Sequence, residues 1–94
     1  MPITAPVSHD PAAGRFEIRL DAGTAVLAYL RRGDAIEITH TEVPEALEGH
    51  GYAAALAEAG LDYARREGMR VIPSCPYVAA YIRRHRGYAD LVAP

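Results

Sequence analysis

Two glycines flank a histidine at the start of an alanine-rich segment, within the run HTEVPEALEGHGYAAAL from His40 to Leu56. Gly49 and Gly51 allow the backbone to turn sharply and to lie close to a ligand. The segment after Gly51 predicts a helix, and the first amides of a helix have no intrahelical partner and carry the positive end of its dipole. The pattern therefore predicts that backbone amides form a binding site for a phosphate or pyrophosphate group.

Reactive side chains occur at two further places. Cys75 precedes Pro76, which is well placed as the first residue of a second helix. A thiol at a helix N-terminus gives up its proton more readily than an ordinary thiol, although a lone cysteine is often a small buried apolar residue. His40 ends a predicted strand, and imidazole changes protonation near neutral pH. The alternative for His40 is a hydrogen bond to a loop carbonyl that holds the turn.

Hydrophobic periodicity predicts the elements that position these groups. Alternating apolar residues predict strands at 15–21 and 24–31, and a third strand, around Ile36 and Ile38, that ends at Pro44. The turns between them are too short for crossovers, so the strands form an antiparallel meander. The stretch 1–14 is expected to be largely irregular, with a short edge strand near 7–9.

The second half predicts a β-α-β unit followed by a C-terminal helix. A helix is expected at 51–67, ended by Gly68, then a buried strand at 69–73 and a helix at 76–85. A strand, helix and strand with this connection require a parallel strand pair and a right-handed crossover. Ligands of such units collect beyond the carboxyl ends of the strands, where 41–44, 48–53 and 74–77 converge.

Composition limits the class of protein. Ninety-four residues suit a single domain, 1–94. The net charge of -2 gives no reason to expect nucleic acid or a membrane surface as partner, and all ten basic residues are arginines. The single cysteine and the lack of a signal or membrane-spanning pattern make a cytoplasmic location the expectation. The spacing of cysteines and histidines predicts no metal site.

Three motifs resemble those of the GNAT superfamily of N-acetyltransferases, in particular its short single-domain branch. They are an HTEVP turn at His40–Pro44, an EGxG loop at Glu48–Gly51 and a PxCPYV segment at Pro73–Val78, in a resemblance that covers about 15–92. The resemblance implies a GNAT-like mixed α/β fold and an enzyme that moves the acetyl group of acetyl-CoA to a small-molecule or peptide amine. The chain is expected to act as a monomer or a homodimer.

The resemblance also implies a binding mode for the cofactor. Gly51 and Ala53 fill the small-residue positions of the pyrophosphate loop, whereas Glu48 replaces the usual Gln or Arg and is expected to face solvent or to cap the helix. The thioester carbonyl is expected to bond to the backbone near Glu42 and Val43. The full set of expected cofactor contacts is Glu42, Val43, Glu48, Gly49, His50, Gly51, Tyr52, Ala53, Cys75, Tyr81 and Arg84.

Four side chains are candidates for the chemistry of acetyl transfer, which needs a neutral amine and a proton for the departing thiolate. Cys75 is either a nucleophile that forms an acetyl-cysteine or a proton donor to the CoA sulfur. His40 is a base for Cys75 or the amine, and Glu42 is the alternative base for direct attack. Tyr81 lies where many relatives keep a tyrosine that protonates the thiolate, although it is equally a packing residue. Arg84 belongs to a basic helix end that either contacts the CoA 3′-phosphate or only pairs with the helix dipole.

Three other functions are compatible with the sequence. The chain is alternatively a CoA-binding module with little or no turnover, or a thiol sensor built on Cys75. An arginine-mediated nucleic-acid binder is disfavoured by the balanced charge.

Overall fold

One mixed sheet forms the centre of the molecule. The computed structural model of the chain describes residues 6–94. Five strands lie in chain order across the sheet: β1 Ser8–Asp10, β2 Arg15–Leu20, β3 Gly23–Arg32, β4 Ala35–Glu42 and β5 Arg70–Pro73. Successive strands from β1 to β4 are antiparallel, whereas β4 and β5 are parallel. The predicted mixed α/β class, a meander followed by a β-α-β unit, is confirmed.

Two helices accompany the sheet. Helix α1, Tyr52–Arg66, connects β4 to β5, and α2, Pro76–Arg84, follows β5. Short 3-10 turns occupy Glu45–Leu47 and Arg86–Leu91. Buried side chains of both helices join the buried side chains of β2 to β5 in one apolar cluster. The edge strand expected at 7–9 forms at Ser8–Asp10, while residues 1–5 of the stretch expected to be irregular lie outside the described residues.

Helix α1 ends in a Schellman motif, as the position of Gly68 predicts. Gly68 has φ +67°, a left-handed conformation that favours glycine. Its N–H donates to the carbonyl of Arg65 at 3.2 Å, and the N–H of Met69 donates to the carbonyl of Ala64 at 2.8 Å. These bonds satisfy carbonyls that the helix end would leave unpaired. The chain then enters β5 directly, which fixes the length of the crossover.

Within their paired stretch, strand β4 has one more residue than β3: Ala35–Glu42 lies opposite Val26–Arg32. Ala28 faces His40 and Tyr29 faces Ile38, so Thr39 has no residue opposite it. A bulge of this kind bends the strand and increases its twist. It also reverses which face of the sheet each following side chain occupies. The carboxyl end of β4 therefore has a different orientation from the one that simple alternation predicts.

The parallel pair ends where this bulge begins. The last paired residues are Ile38 and Pro73, and the N–H of Cys75 then donates to the carbonyl of Ile38 at 2.9 Å. Beyond this bond β4 continues to Glu42, whereas the chain after β5 turns into α2. A gap consequently opens between the end of β4 and the start of α2.

Gly60 on α1 offers a test of how closely the helix packs on the sheet. A Cβ placed at Gly60 lies 3.6 Å from the Leu27 side chain and 3.8 Å from Phe16, which is ordinary van der Waals contact. Glycine inside a helix costs about 1 kcal/mol relative to alanine. We therefore expect Gly60→Ala to raise the free energy of unfolding by about 1 kcal/mol in urea denaturation. Gly14→Ala should lower it instead, since that Cβ would lie 2.5 Å from the Tyr29 carbonyl oxygen. A less stable Gly60→Ala variant would contradict the spacing between α1 and the sheet.

His9 attaches the edge strand β1 to the aromatic end of the core. Its Nε2 lies 2.6 Å from the Tyr29 hydroxyl, and its ring stacks on Phe16 with 4.0 Å between centroids. The rings of His9 and Tyr63 form a T-shaped contact with 4.4 Å between their centroids. Burial lowers the pKa of His9, and the charge of Arg66 lowers it further.

The lowered His9 pKa predicts a dependence of stability on pH. Since the unfolded chain binds a proton more readily than the folded one, stability should be complete above the ordinary histidine pKa of 6.5. It should fall as the pH drops through that value toward the lower folded pKa. Urea denaturation between about pH 7.5 and about pH 5.5 should show this loss in the parent and a shallower loss in His9→Phe. Equal slopes in the two proteins would remove His9 as the cause.

Candidate functional site

A cavity opens at the carboxyl end of β4 and the N-terminus of α1. Its volume is about 540 Å³, within the roughly 300–1,000 Å³ typical of small-molecule sites. The residues that line it are Thr41, Glu42, Val43, Leu47, Glu48, Gly49, Gly51, Tyr52, Ala53, Ala54 and Tyr77. The cavity thus lies where the β-α-β pattern predicts a ligand.

The floor of the cavity consists of backbone with little side chain above it. Gly51 precedes α1 with φ 81°, and no side chain of the described residues caps the helix there. The bond from the N–H of Ala55 to the carbonyl of Gly51, at 3.1 Å, connects the helix to its cap. The amides of 52–54 therefore have no acceptor within the helix. Gly49 has φ +83°, and no atom lies within 4 Å of the position of a Cβ built on it. These exposed amides suit an anion.

Tyr77, in the first turn of α2, borders the cavity on the side of that helix. Within residues 6–94, Tyr77 and Leu30 are the large apolar residues that remain exposed, and Tyr77 is 37% exposed. Partial burial raises the pKa of Tyr77, partly offset by the charge of Arg84. The phenol consequently keeps its proton at neutral pH, and it offers the cavity both an aromatic surface and a hydrogen-bond donor.

Cys75 lies behind the wall of the cavity rather than on it. It is the residue that precedes α2, as the sequence predicted, and it is only 4% exposed. Its Sγ is 3.4 Å from the Oγ1 of Thr41, which does line the cavity. Cys75 is therefore one contact away from the space that a ligand would occupy. The chemical role predicted for Cys75 stays a prediction.

His40 and Glu42 lie on the other face of β4. Both are exposed, and His40 Nε2 is 3.5 Å from the Glu42 carboxylate. The bulge explains this placement: before it Ile38 is buried, whereas after it Thr41 and Val43 are the partly buried residues. The residue that contacts the Cys75 sulfur is thus Thr41 and not His40. The base roles predicted for His40 and Glu42 stay predictions.

Tyr81 and Arg84 lie outside the cavity lining. Tyr81 is 9% exposed, and its ring stacks on His85 with 3.9 Å between centroids. Burial raises the pKa of Tyr81. Arg84, the last residue of α2, is exposed. Tyr77, one turn before Tyr81, is the tyrosine that borders the cavity.

The predicted cofactor contacts divide into two groups. Seven of them line the cavity: Glu42, Val43, Glu48, Gly49, Gly51, Tyr52 and Ala53. The other four, His50, Cys75, Tyr81 and Arg84, are not in its lining. Glu48 is exposed and does not cap α1, so of the two expectations for it only exposure to solvent is met. Thr41 and Tyr77, which also line the cavity, belong to the stretches 41–44 and 74–77 that were expected to converge there, although neither was expected as a cofactor contact. Leu47 and Ala54 are lining residues that the sequence did not predict.

Two negative observations apply to residues 6–94. That part of the chain brings together no group of three or more histidine, cysteine, aspartate or glutamate side chains able to hold a metal ion. Neither of the helices described there is long and apolar enough to cross a membrane.

A mixed sheet that opens beside an uncapped helix N-terminus is the architecture of GNAT-type acyltransferases. The family model described as GCN5-related N-acetyl-transferase matches residues 15–91, and the chain belongs to that family. It is therefore an N-acetyltransferase of the GNAT type by family and fold, as the three motifs predicted.

Similar proteins agree with this assignment. The protein NATD1 of Mus musculus is 37% identical over 82 residues, which cover 84% of this chain and 74% of that protein. NATD1 of Homo sapiens has the same identity with 73% of its length covered, and that of Xenopus tropicalis is 34% identical. The solution structure of a GCN5-like protein from Staphylococcus aureus superposes with a TM-score of 0.75, covering 95% of this chain and 88% of that one. At 23% identity, this last likeness concerns the fold.

Proposed function

We propose that this chain, acting as a single GNAT-like domain, transfers the acetyl group of acetyl-CoA to an amine that attacks the thioester directly. One observation carries the proposal: the uncapped N-terminus of α1, preceded by Gly49 and Gly51, forms the floor of a cavity that reaches the free edge of β4. An anionic group at one end of the cavity and a reacting carbonyl at the other are the two features that acetyl-CoA requires.

The backbone amides at the start of α1 bind the pyrophosphate in this proposal. They are unpaired within the helix, and the positive end of the helix dipole favours an anion. The small side chains of Ala53 and Ala54 leave them accessible from the cavity. The carboxylate of Glu48 is an unfavourable charge near this floor, and its exposure to solvent allows ions to screen it.

The end of β4 holds the thioester. Beyond Ile38, β4 has no strand beside it on the β5 side within residues 6–94. In this proposal, backbone N–H groups near Glu42 and Val43, which border the cavity, donate to the carbonyl oxygen. Such donors stabilise the negative charge that develops on this oxygen during attack.

The amine approaches from the face of β4 that carries His40 and Glu42. An amine attacks only in its neutral form, and most amines are protonated at neutral pH. The imidazole and carboxylate, 3.5 Å apart and open to solvent, form the base that removes this proton. The acceptor is a small-molecule or peptide amine that can reach this exposed pair.

Calorimetry and an acceptor screen test the proposal. Isothermal titration with acetyl-CoA should show saturable binding, and the complete absence of binding would end the proposal. Polyamines, amino acids, aminoglycosides and peptides with free N-termini should then be supplied with acetyl-CoA while the release of CoA thiol is followed. Intact-mass spectrometry of the protein during turnover should show no acetyl adduct.

One observation favours a second candidate, a CoA-binding module without efficient turnover. Cys75 and Tyr81, two of the predicted catalytic side chains, are buried and lie outside the cavity lining. Such a module would bind acetyl-CoA but release CoA no faster than the uncatalysed reaction with any acceptor in the screen. The burial of Cys75 also disfavours a thiol sensor, since oxidation requires access to the sulfur.

A further inference from the structure

We infer that Thr41 connects the buried Cys75 thiol to the cavity and passes its proton to the sulfur that leaves the thioester. Cys75 then acts through Thr41 and does not itself attack the acetyl group. The inference rests on the proposed function, because it concerns the proton that acetyl transfer must deliver to CoA. Thr41 belongs to the HTEVP motif, but it was not among the side chains expected to take part in the chemistry.

The position of Thr41 makes it the bridge. Thr41 lines the cavity, and its Oγ1 lies 3.4 Å from the Cys75 Sγ, a distance at which either atom can donate to the other. A threonine hydroxyl has one proton to donate and lone pairs to accept. It can accept the Cys75 proton on one side while it donates its own proton to a group in the cavity. The bulge at Thr39 is what turns Thr41 toward this side of β4.

Cys75 is held too firmly to enter the cavity itself. Its N–H donates to the carbonyl of Ile38 at 2.9 Å, and its carbonyl accepts from the N–H of Ala79 at 3.0 Å. The first bond attaches it to β4 and the second to α2, and its side chain belongs to the apolar core. An acetyl group on this sulfur would need space inside a close-packed core. The burial therefore favours a proton donor over a nucleophile.

The proton transfer balances over one turnover. When the tetrahedral intermediate collapses, the bond between carbon and sulfur breaks and the leaving sulfur takes the proton of the Thr41 hydroxyl. Thr41 takes the proton of Cys75 at the same time, which leaves a thiolate at the N-terminus of α2. The helix dipole stabilises that negative charge. The proton released by the new amide nitrogen returns to Cys75 through solvent and Thr41, so that the products are the acetylated amine and CoA thiol.

Four variants test the relay: Thr41→Val, Thr41→Ser, Cys75→Ala and the double variant Thr41→Val/Cys75→Ala. Hydroxylamine serves as the acceptor because it is uncharged at neutral pH and needs no base. The rate of CoA release above the uncatalysed rate should fall about 10²-fold in Thr41→Val and in Cys75→Ala. Thr41→Ser, which keeps the hydroxyl, should restore most of the rate.

The double variant distinguishes a relay from two independent effects. If one proton passes through both residues, the double variant should be no slower than the slower single variant. If the fold-losses of the two single variants multiply in the double variant, the relay is overturned. A single variant that releases CoA as fast as the parent would also overturn it, and so would an acetyl adduct on Cys75. Thr41→Ser and the urea unfolding curves identify any loss that comes from misfolding.

Calorimetry separates this inference from the proposed function. All four variants should bind acetyl-CoA about as well as the parent. If the variants bind acetyl-CoA as the parent does and Thr41→Val turns over as fast as the parent, only the relay is overturned. A parent that binds acetyl-CoA without catalysing transfer to hydroxylamine would overturn the relay and leave a binding module. A parent that does not bind acetyl-CoA would overturn both.

Discussion

Ala53→Glu should weaken acetyl-CoA binding about 100-fold, or by about 2.8 kcal/mol, without loss of fold. Ala53 lies in the first turn of α1 and lines the cavity. A carboxylate there would stand where the proposal places the pyrophosphate, and two charges about 4 Å apart repel by about 4 kcal/mol near a protein surface. The same carboxylate interacts favourably with the helix dipole, by about 0.3–1 kcal/mol. Binding measured by calorimetry and stability measured by urea denaturation should therefore change in opposite directions.

Two control variants separate charge from size and from position. Ala53→Gln has nearly the same volume without the charge, so its smaller loss of affinity measures steric obstruction alone. Ala46→Glu adds the same charge on the exposed 3-10 turn beside the cavity but outside its lining, and it should bind acetyl-CoA almost as the parent does. Added salt should reduce the difference between Ala53→Glu and Ala53→Gln. If Ala53→Glu binds acetyl-CoA as tightly as the parent does, the pyrophosphate binds elsewhere.

Most element boundaries could be predicted because short-range chemistry determines them. Gly68 ends α1 since the Schellman motif needs a left-handed residue there. Pro76 begins α2 because proline lacks only an N–H that the first turn cannot use. The parallel pairing of β4 with β5 follows from the length of the connection alone. The first two features depend on residues close together in the sequence, and the third depends on the length of the segment that joins the two strands.

The bulge at Thr39 could not be predicted in this way. It arises from the pairing of β4 with β3, and neither a glycine nor a proline stands next to Thr39 in the sequence. Simple alternation places His40 on the same face as Ile38 and therefore near Cys75. The extra residue moves His40 to the opposite face and brings Thr41 to the sulfur instead. The one extra residue in β4 thus changes which side chain lies next to the Cys75 sulfur.

The two tyrosines of α2 show a different limit. Tyr77 and Tyr81 lie one turn apart, so helical periodicity assigns them to the same face. The periodicity does not say which end of the helix meets the cavity. In the structure the N-terminal turn does, and Tyr77 borders the cavity. Tyr81 packs instead between Tyr88 and the stacked ring of His85. Tertiary packing, which the single sequence does not display, decides between them.

The pair formed by His40 and Glu42 should control the rate only for acceptors that must lose a proton. With an amine from the screen that is charged at neutral pH, His40→Gln should lower the rate of transfer about 100-fold. Glu42→Gln should lower it less if the carboxylate mainly orients the imidazole, which lies 3.5 Å away. With hydroxylamine, which is already neutral, both variants should transfer acetyl groups nearly as fast as the parent.

Glu17→Gln is the matched control, because it removes the same charge from β2, two strands away, where Glu17 pairs with Arg15 and Arg19. It should leave both reactions unchanged. If His40→Gln loses the same fraction of its transfer rate with both acceptors, His40 has a structural role and does not remove the proton. Thr41→Val, which removes the proposed proton donor, should slow acetyl transfer to both acceptors. His40→Gln and Glu42→Gln, which alter the proposed base, should slow transfer only to the charged acceptor. The opposite faces of β4 would then supply the two halves of one proton transfer, with the thioester held at the strand edge between them.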